Sequence, residues 1–309
     1  MKLAFLYAGQ GSQHAGMGRD LYEAYPAFRA AMDGPSLEFD LKTLCFEGPE
    51  EQLAQTRYTQ PCMVAFAAGV TAVLSEKGLR PQLAAGLSLG EYSALHAAGV
   101  FDAKTAVELV AFRGKAMEKA AEGRSSAMAA VLMLGREELQ TCCDTASHLG
   151  VVEIANLNCP GQIVIGGEAA AVEEAGRLAR EAGARRVMPL KVSGPFHTSL
   201  MAPAGEALRE RFTSTTFRPM VFPVLFNCLG GPMGAEDSIP DLLVRQVQGT
   251  VRLEDSIRYL EKAGVDTVVE IGPGKVLSGF LKKTAKTIVC YSVETAEELE
   301  AAVSALKGA

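Results

Sequence analysis

Short apolar runs alternate with helical hydrophobic patterns along most of the chain. Apolar runs bounded by glycine and polar residues predict strands at 3–8, 84–87, 221–227, 267–271 and 287–291. Apolar residues three and four positions apart predict helices at 16–31, 60–77, 91–98, 104–122, 202–212, 240–248, 252–263 and 275–283. We expect the second of these helices to be opened by Pro61. The alternation of strands and helices indicates an α/β fold.

The pattern changes between residues 125 and 191. Strands are predicted there at 127–134, 151–157, 162–166 and 185–191, and helices at 136–149 and 168–182. The resulting order, β-α-β-β-α-β, is the ferredoxin-like arrangement. We therefore predict a ferredoxin-like subdomain at 125–191, inserted into a larger domain formed by residues 1–124 and 192–309.

Composition and charge narrow the class of protein. The 309 residues are 48% hydrophobic and 21% charged, which is typical of a folded chain. The net charge of −6 argues against a general attraction to nucleic acid or to an anionic membrane. We find no apolar stretch as long as a membrane span, and we interpret the N-terminal apolar run as a buried strand instead of a signal peptide.

The numbers and spacing of cysteine and histidine residues indicate whether the chain could bind a metal and which redox compartment suits it. The seven cysteines are an odd, scattered set without a C-x-x-C pair. This argues against a disulfide framework and a zinc site, and it favours a reducing cytoplasm. With only four histidines in the chain, we expect chemistry that uses no metal. We also expect no bound cofactor.

Ser88 lies between two glycines in the sequence Gly86-Leu87-Ser88-Leu89-Gly90. The spacing G-x-S-x-G can hold a nucleophilic serine on a tight turn between a strand and a helix. The backbone N–H of Leu89 would then lie at the helix N-terminus, where it can stabilise an oxyanion. Alternatively, the serine belongs to an ordinary turn that caps the following helix.

A nucleophilic serine needs a base, and the four histidines are the candidates. His197 follows the last strand of the predicted subdomain, in a loop that could face a cleft. His14 lies in a glycine-rich loop, His96 in the helix after Ser88, and His148 near a helix end. A surface or helix-capping role for His197 is the alternative.

Arg113 lies in a largely apolar helical segment and therefore needs a partner. Its planar guanidinium suits a carboxylate, either of a protein side chain or of a substrate. Several glutamines also occur in predicted loops or beside them, and each alone is compatible with ordinary polar surface. They are Gln10, Gln13, Gln60, Gln246 and Gln248.

Two glycine-rich loops require a test for nucleotide binding. The loop at 9–13 lacks a Gly-Lys-Ser/Thr ending, and His14 replaces the third glycine of G-x-G-x-x-G. The loop at 272–274 contains Pro273, which has no N–H to offer a phosphate. Nucleotide binding is disfavoured.

Six blocks in the same order make the chain resemble the malonyl-CoA:acyl-carrier-protein transacylases over residues 3–293. The blocks are 6–13, 86–92, 113–115, 158–165, 194–197 and 270–274. The resemblance implies an α/β-hydrolase-like domain with a ferredoxin-like insertion. It also implies transfer of a malonyl group from malonyl-CoA to the phosphopantetheine thiol of holo acyl carrier protein, by a ping-pong mechanism through a malonyl-serine. A cytoplasmic monomer is the corresponding expectation.

The resemblance assigns a role to each candidate residue. The implied roles are Ser88 as nucleophile, His197 as base, the N–H groups of Gln10 and Leu89 as oxyanion hole, Arg113 as partner of the malonyl carboxylate, Gln246 as support for the histidine, and Gln60 as pocket wall. Phe196 matches the pattern of the malonyl-type enzymes at the position before the histidine. The chain departs from the family at Leu87, where histidine is common, and at 247–251. We expect an altered pocket wall at the first position.

Two other functions stay open at this stage. A serine hydrolase such as a thioesterase usually has an acidic residue between its serine and histidine, but here a predicted subdomain fills most of that interval. A patatin-like lipase would need a later Asp-Gly dyad, whereas Asp33-Gly34 precedes the serine. A non-enzymatic module that binds a carrier protein is the second alternative.

Two basic clusters are candidate docking sites for the carrier protein or ordinary solvated charge: Lys275, Lys282, Lys283 and Lys286; Arg185, Arg186 and Lys191.

Overall fold

The computed structural model describes residues 1–308 and has a mixed α/β fold, as predicted. The strands are β1 (Leu3–Tyr7), β2 (Leu83–Gly86), β3 (Ser126–Leu132), β4 (Val152–Cys159), β5 (Gln162–Glu168), β6 (Arg186–Pro189), β7 (Val224–Phe226), β8 (Gly231–Pro232), β9 (Thr267–Ile271) and β10 (Val289–Val293). The α-helices are α1 (Arg19–Ala24), α2 (Pro26–Asp33), α3 (Leu41–Glu47), α4 (Glu50–Leu53), α5 (Thr56–Glu76), α6 (Gly90–Ala97), α7 (Ala103–Ala121), α8 (Arg136–Ala146), α9 (Ala169–Glu181), α10 (Ala202–Phe212), α11 (Ile239–Val247), α12 (Leu253–Lys262), α13 (Val276–Thr284) and α14 (Ala296–Lys307).

The chain divides into two compact units. The first comprises Met1–Gly114, Thr216–Leu225 and the residues from Ile257 onward. The second comprises Lys115–Thr215 and Phe226–Ser256. Each unit has its own sheet and is described separately below.

The first unit is organised by a parallel sheet. The strand order within this unit is β10-β9-β1-β2-β7. Every residue of β1, β2 and β9 is buried, as expected for parallel strands that are covered on both faces. Tyr7 at the end of β1 pairs with Gly86 of β2 on one side and with Ile271 of β9 on the other. The loops after these three strands therefore begin side by side, at the edge where parallel α/β sheets carry their sites.

The second unit contains an antiparallel sheet with the strand order β4-β5-β3-β6. Its elements follow the predicted β-α-β-β-α-β order, with α8 and α9 supplying the helices. Helix and sheet residues form one apolar core that includes Leu139, Cys143, Ile165 and Ala175. The compact unit extends beyond the predicted 125–191 segment because a later part of the chain joins β4. Val251 donates its N–H to the Ala155 carbonyl at 2.9 Å and accepts from the Leu157 N–H at 2.8 Å.

The single helix predicted at 16–31 is wrong, because the structure has two helices there. α1 ends at Ala24 and α2 begins at Pro26. Between them Tyr25 is extended, with φ −124° and ψ 119°. Proline disfavours a helical conformation in the residue before it and is well suited to the first position of a helix.

The predicted start of the next long helix is also wrong. α5 begins at Thr56, so that Pro61 lies inside the helix. Pro61 and the turns that follow it are buried, and the helix continues through the position that lacks a backbone N–H. By length and composition alone, this helix of 21 residues could also cross a membrane, which corrects our finding that no apolar stretch is long enough. In the fold, 78% of its most apolar window is buried, as in the core helix of a globular domain.

Candidate active site

Ser88 lies on a tight turn between β2 and α6. Its φ of 54° is left-handed, a conformation that costs a residue with a Cβ about 1–2 kcal/mol. Backbone hydrogen bonds impose the turn: Leu87 N–H donates to the Tyr7 carbonyl at 3.0 Å, and Gly90 N–H donates to the Leu87 carbonyl at 2.9 Å. The Glu91 N–H then donates to the Ser88 carbonyl at 3.1 Å and begins the helix. The strain is held by the ends of two neighbouring strands.

The glycines around Ser88 are required by close approach of the backbone. A Cβ on Gly86 would lie 2.1 Å from the carbonyl carbon and oxygen of Gly90. A Cβ on Gly90 would lie 2.4 Å from the Tyr7 carbonyl oxygen, and one on Gly9 would lie 2.7 Å from the Leu87 carbonyl oxygen. No real Cβ makes such contacts, so the G-x-S-x-G spacing has a steric cause.

Arg113 is fully buried and binds the serine directly. Its Nη2 donates to Ser88 Oγ at 3.1 Å, and its Nη1 donates to Gln60 Oε1 at 2.8 Å. Both acceptors are neutral oxygens. The Ser88 hydroxyl accepts from Arg113 and can still donate its own hydrogen to a base. The structure therefore brings together three of the predicted site residues, Ser88, Arg113 and Gln60.

Two residues of the serine motif that our sequence reasoning did not assign complete the surroundings of Arg113. The ring of Tyr92 faces the guanidinium, with 5.6 Å between Cζ and the ring centroid. Burial lowers the pKa of Arg113, while Tyr92 and the buried carboxylate of Glu91 oppose that shift. Glu91 thus supplies negative charge near the guanidinium, whose hydrogen bonds to Ser88 and Gln60 fix its orientation. Helical spacing after Ser88 was the signal that could have identified both residues.

The loop after β1 carries Gln10 and lies against the serine turn through Gly9. Gln10 Nε2 donates to Thr56 Oγ1 at 3.1 Å, which ties the loop to the first turn of α5. At the start of this loop, the Ala8 N–H donates to the Ile271 carbonyl at the end of β9, at 3.0 Å. Leu89 immediately precedes α6, where the first N–H groups of a helix have no acceptor within the helix and carry partial positive charge.

His14 fastens the same loop to the end of β10. Its Nε2 lies 2.5 Å from Glu294 Oε1, and its Nδ1 lies 3.0 Å from the Ala15 carbonyl oxygen. Glu294 Oε2 also accepts from the Gly274 N–H at 2.8 Å. Partial burial lowers the pKa of His14, but the Ala15 carbonyl and the carboxylates of Glu294 and Glu50 outweigh it, so the pKa is raised above 6.5. These contacts favour the protonated form of His14.

In the second unit, His197 is buried and has a left-handed φ of 61°. Its Nδ1 lies 2.9 Å from the backbone carbonyl oxygen of Gln246. A carbonyl oxygen can only accept, so Nδ1 carries the hydrogen of this contact. Gln246 lies in the last turn of α11, where the final carbonyl groups of a helix have no N–H donor within the helix and carry partial negative charge.

The comparison with known proteins assigns the family. The sequence pattern of the acyl transferase domain matches residues 4–306. The chain belongs to this family. It is 44% identical over 309 residues to the malonyl CoA-acyl carrier protein transacylase of Bacillus subtilis, covering 99% of this chain and 98% of the relative. It is 38% identical over 305 residues to the protein of the same name from Escherichia coli, covering 98% and 99%.

Solved acyl transferase structures agree with the fold. A structure of MCAT from Streptococcus pneumoniae is 48% identical, with a TM-score of 0.94, and the match covers 98% of this chain and 100% of that one. The malonyl CoA-acyl carrier protein transacylase of Clostridium perfringens is 38% identical, with a TM-score of 0.96 and coverage of 100% and 98%. A type II PKS acyl-carrier protein in complex with its malonyl-transacylase matches at 38% identity and a TM-score of 0.95, covering 99% and 100%.

Two other histidines of this acyl transferase lie against backbone carbonyl oxygens. His96 Nδ1 lies 3.0 Å from the Phe101 carbonyl oxygen, and burial lowers the pKa of His96. His148 Nδ1 lies 2.9 Å from the Thr145 carbonyl oxygen. Phe196 is buried beside His197. Within residues 1–308, no group of three or more His, Cys, Asp or Glu side chains could hold a metal ion, and the seven cysteines are free thiols.

Proposed function

We propose that this acyl transferase moves a malonyl group from malonyl-CoA to the phosphopantetheine thiol of holo acyl carrier protein. The observation that carries the proposal is the distance of 3.1 Å between Arg113 Nη2 and Ser88 Oγ. It places a buried cation one hydrogen bond from the atom that would hold the acyl group. The names of the relatives from Bacillus subtilis and Escherichia coli support the same substrates.

The charge of Arg113 explains why the acyl group should be malonyl. In a malonyl ester of Ser88, the free carboxylate is only three carbon atoms from Oγ, within reach of a guanidinium that contacts Oγ itself. A carboxylate can take two parallel hydrogen bonds from that guanidinium. An acetyl group cannot, and leaving a buried charge without its partner costs on the order of 3 kcal/mol, which is roughly a hundredfold in rate.

The first half-reaction acylates the serine. His197 Nε2 accepts the hydroxyl hydrogen as Ser88 Oγ attacks the thioester carbonyl of malonyl-CoA. The N–H groups of Gln10 and Leu89 stabilise the oxyanion of the tetrahedral intermediate. When the C–S bond breaks, the imidazolium returns the proton to the departing CoA thiolate. The Gln246 carbonyl supports this role, because it holds the tautomer whose Nε2 is basic.

The second half-reaction runs in reverse with a different thiol. His197 takes the proton of the phosphopantetheine thiol, the sulfur attacks the malonyl-serine ester, and Ser88 recovers its proton as the ester bond breaks. Two half-reactions through one covalent intermediate predict ping-pong kinetics. No step requires a metal or a bound cofactor.

We propose the finer fold description and the cellular setting on the same basis. The parallel strand order supports an α/β-hydrolase-like domain at 1–124 and 192–309. The order β4-β5-β3-β6 supports a ferredoxin-like subdomain at 125–191. A cytoplasmic monomer remains our proposal for the working state.

The docking site of the carrier protein is also a proposal. Of the two basic clusters, the one around α13 includes Lys275, which forms an ion pair with Glu298 at 2.9 Å. The second cluster includes Arg185 and Arg186, both exposed around the start of β6. Reversing the charge at the true dock should raise KM for the carrier protein and leave acylation by malonyl-CoA unchanged.

The principal alternative is a serine hydrolase. In a hydrolase triad, the histidine Nδ1 usually donates to an Asp or Glu carboxylate, whereas here it faces a backbone carbonyl. The difference favours the transferase but leaves the fate of the acyl group to experiment. A non-enzymatic carrier-binding module would have no use for the buried Arg113–Ser88 contact.

One experiment separates the three functions. The protein is mixed with malonyl-CoA and followed by intact-protein mass spectrometry, with Ser88→Ala as the control. We expect a malonyl adduct on Ser88 alone, which disappears when holo carrier protein, but not apo carrier protein, is added. Rapid release of free malonate without an acceptor would identify a hydrolase, and the absence of any adduct would identify a binding module.

A further inference from the structure

The carboxylate of Glu153, in β4, binds Ser199, which lies two residues after His197. Its Oε2 accepts from the Ser199 N–H at 2.7 Å, and its Oε1 accepts from the Ser199 hydroxyl at 2.7 Å. Both oxygens of one carboxylate therefore hold one residue, two positions after His197. Such charge-assisted pairs are stronger than hydrogen bonds between neutral groups.

His197 needs such an anchor because its backbone is strained. A left-handed φ in a residue with a large side chain persists only where the surroundings impose it. The Thr198 hydroxyl donates to the Pro195 carbonyl at 2.6 Å and closes a turn that contains His197. After this turn the chain continues into Ser199, which the Glu153 carboxylate holds. The strained residue thus lies between two fixed points.

The same strand holds the partner of the histidine. The Thr250 hydroxyl donates to the Ile154 carbonyl at 2.7 Å, and Val251 exchanges backbone hydrogen bonds with Ala155 and Leu157. Thr250 is four residues after Gln246, whose carbonyl receives the Nδ1 hydrogen. Adjacent residues of β4 therefore fix the segments that contain the donor and the acceptor of this hydrogen bond. The departure from the family at 247–251 lies in the segment that β4 fixes.

We propose that Glu153 is a positioning residue that holds His197 in its left-handed conformation, with Nδ1 on the Gln246 carbonyl and Nε2 available as the base. The inference rests on the proposed role of His197 in acyl transfer. A purely structural alternative exists, because the Ser199 N–H begins a short 3-10 turn at Ser199–Met201 and a carboxylate there could merely cap it. The two roles differ in what they do to the imidazole.

The test measures acylation of Ser88 by malonyl-CoA alone, in rapid-mixing experiments across a pH series. We expect Glu153→Ala to lower the limiting acylation rate about tenfold to a hundredfold, because small misplacement of a reacting group has effects of that size. The apparent affinity for malonyl-CoA should stay within about twofold, because Glu153 supports the base and holds no part of the substrate. Glu153→Gln keeps one acceptor oxygen and should recover most of the rate.

A spectroscopic measurement distinguishes positioning from capping. In the wild-type protein, the Nδ1–H of His197 should give a slowly exchanging proton resonance, and its loss in His197→Gln assigns it. Glu153→Ala should broaden or remove this resonance at a temperature where the protein is fully folded. Glu173→Ala, on an exposed position of α9 in the same unit, is the matched control and should change neither rate nor resonance.

The outcomes separate this inference from the proposed function. If wild-type protein forms no malonyl-serine, the proposed function fails, while the resonance still tests whether Glu153 holds the imidazole. Folded Glu153→Ala with a wild-type rate, pH profile and resonance would overturn the inference, as would a loss confined to the apparent affinity. Should Glu153→Ala not fold, Ser199→Ala removes the hydroxyl bond at an exposed position, and the same results apply with a smaller, several-fold loss of rate.

Discussion

Substituting Arg113 tests the origin of malonyl selectivity. Arg113→Met keeps a long unbranched side chain in the buried site and removes the charge, together with the donors to Ser88 Oγ and Gln60 Oε1. For a malonyl donor, the substitution leaves the carboxylate buried without a cation, at a cost of about 3 kcal/mol or more. That corresponds to a loss of at least roughly a hundredfold in the rate of malonyl acylation. Acetyl-CoA brings no carboxylate, so its rate should hold or rise.

The assay follows acylation of Ser88 by each donor separately, by mass spectrometry after rapid quenching. The quantity compared is the ratio of the malonyl to the acetyl rate, because this ratio cancels general damage to the fold or to the base. Lys104→Ala is the control on the same helix, since Lys104 is exposed and forms only a surface ion pair with Glu108 at 3.9 Å. The reasoning is refuted if Arg113→Met lowers both rates equally or leaves the ratio unchanged.

Three further predictions concern the surroundings of this site. Because the pKa of His14 is raised in the folded state, its contribution to the free energy of unfolding is complete below about pH 6.5 and is lost as the pH rises through the folded-state pKa. The free energies of unfolding of His14→Gln and wild type, measured in urea, should therefore converge at alkaline pH. A difference between them that widens with pH would contradict this. Gly90→Ala places a Cβ 2.4 Å from a main-chain oxygen of β1 and should cost about 1–3 kcal/mol or more in thermal unfolding, whereas Gly279→Ala, with open space around it, should cost nothing. Tyr92→Leu removes the ring that faces Arg113 and should lower malonyl acylation about threefold to tenfold with little change for acetyl-CoA, whereas Tyr92→Phe, which keeps the ring, should retain most of the rate.

The strand pattern was predictable from sequence because strand burial leaves a local signature. All residues of β1 and β9 are apolar or buried, and their apolar runs end at loop residues that mark the strand ends. The β-α-β-β-α-β order was recovered with boundaries displaced by a few residues. The G-x-S-x-G turn was equally readable, because Gly86 and Gly90 meet within five residues of chain.

The helices were less predictable where short segments pack on a neighbour. α3, α4 and α14 were not predicted, and α5 begins before its proline. α3 and α4 are only 7 and 4 residues long, too short for a hydrophobic period to be distinct. The local signal at α3 is its N-cap, where the Asp40 side chain accepts from the Thr43 N–H.

The sequence by itself determined most of the strands and long helices, which serine lies on the tight turn and which residue types could serve it. Only the tertiary structure decided that Arg113 donates to Ser88 and Gln60, which lie 25 and 53 residues away, and that His197 donates to a carbonyl 49 residues away. It also decided that Glu153 holds Ser199, 46 residues further on. Turns and strands follow from neighbours in the chain, whereas these contacts depend on how the sheets bring distant segments together. The partner of a buried polar group is therefore a property of the packed fold.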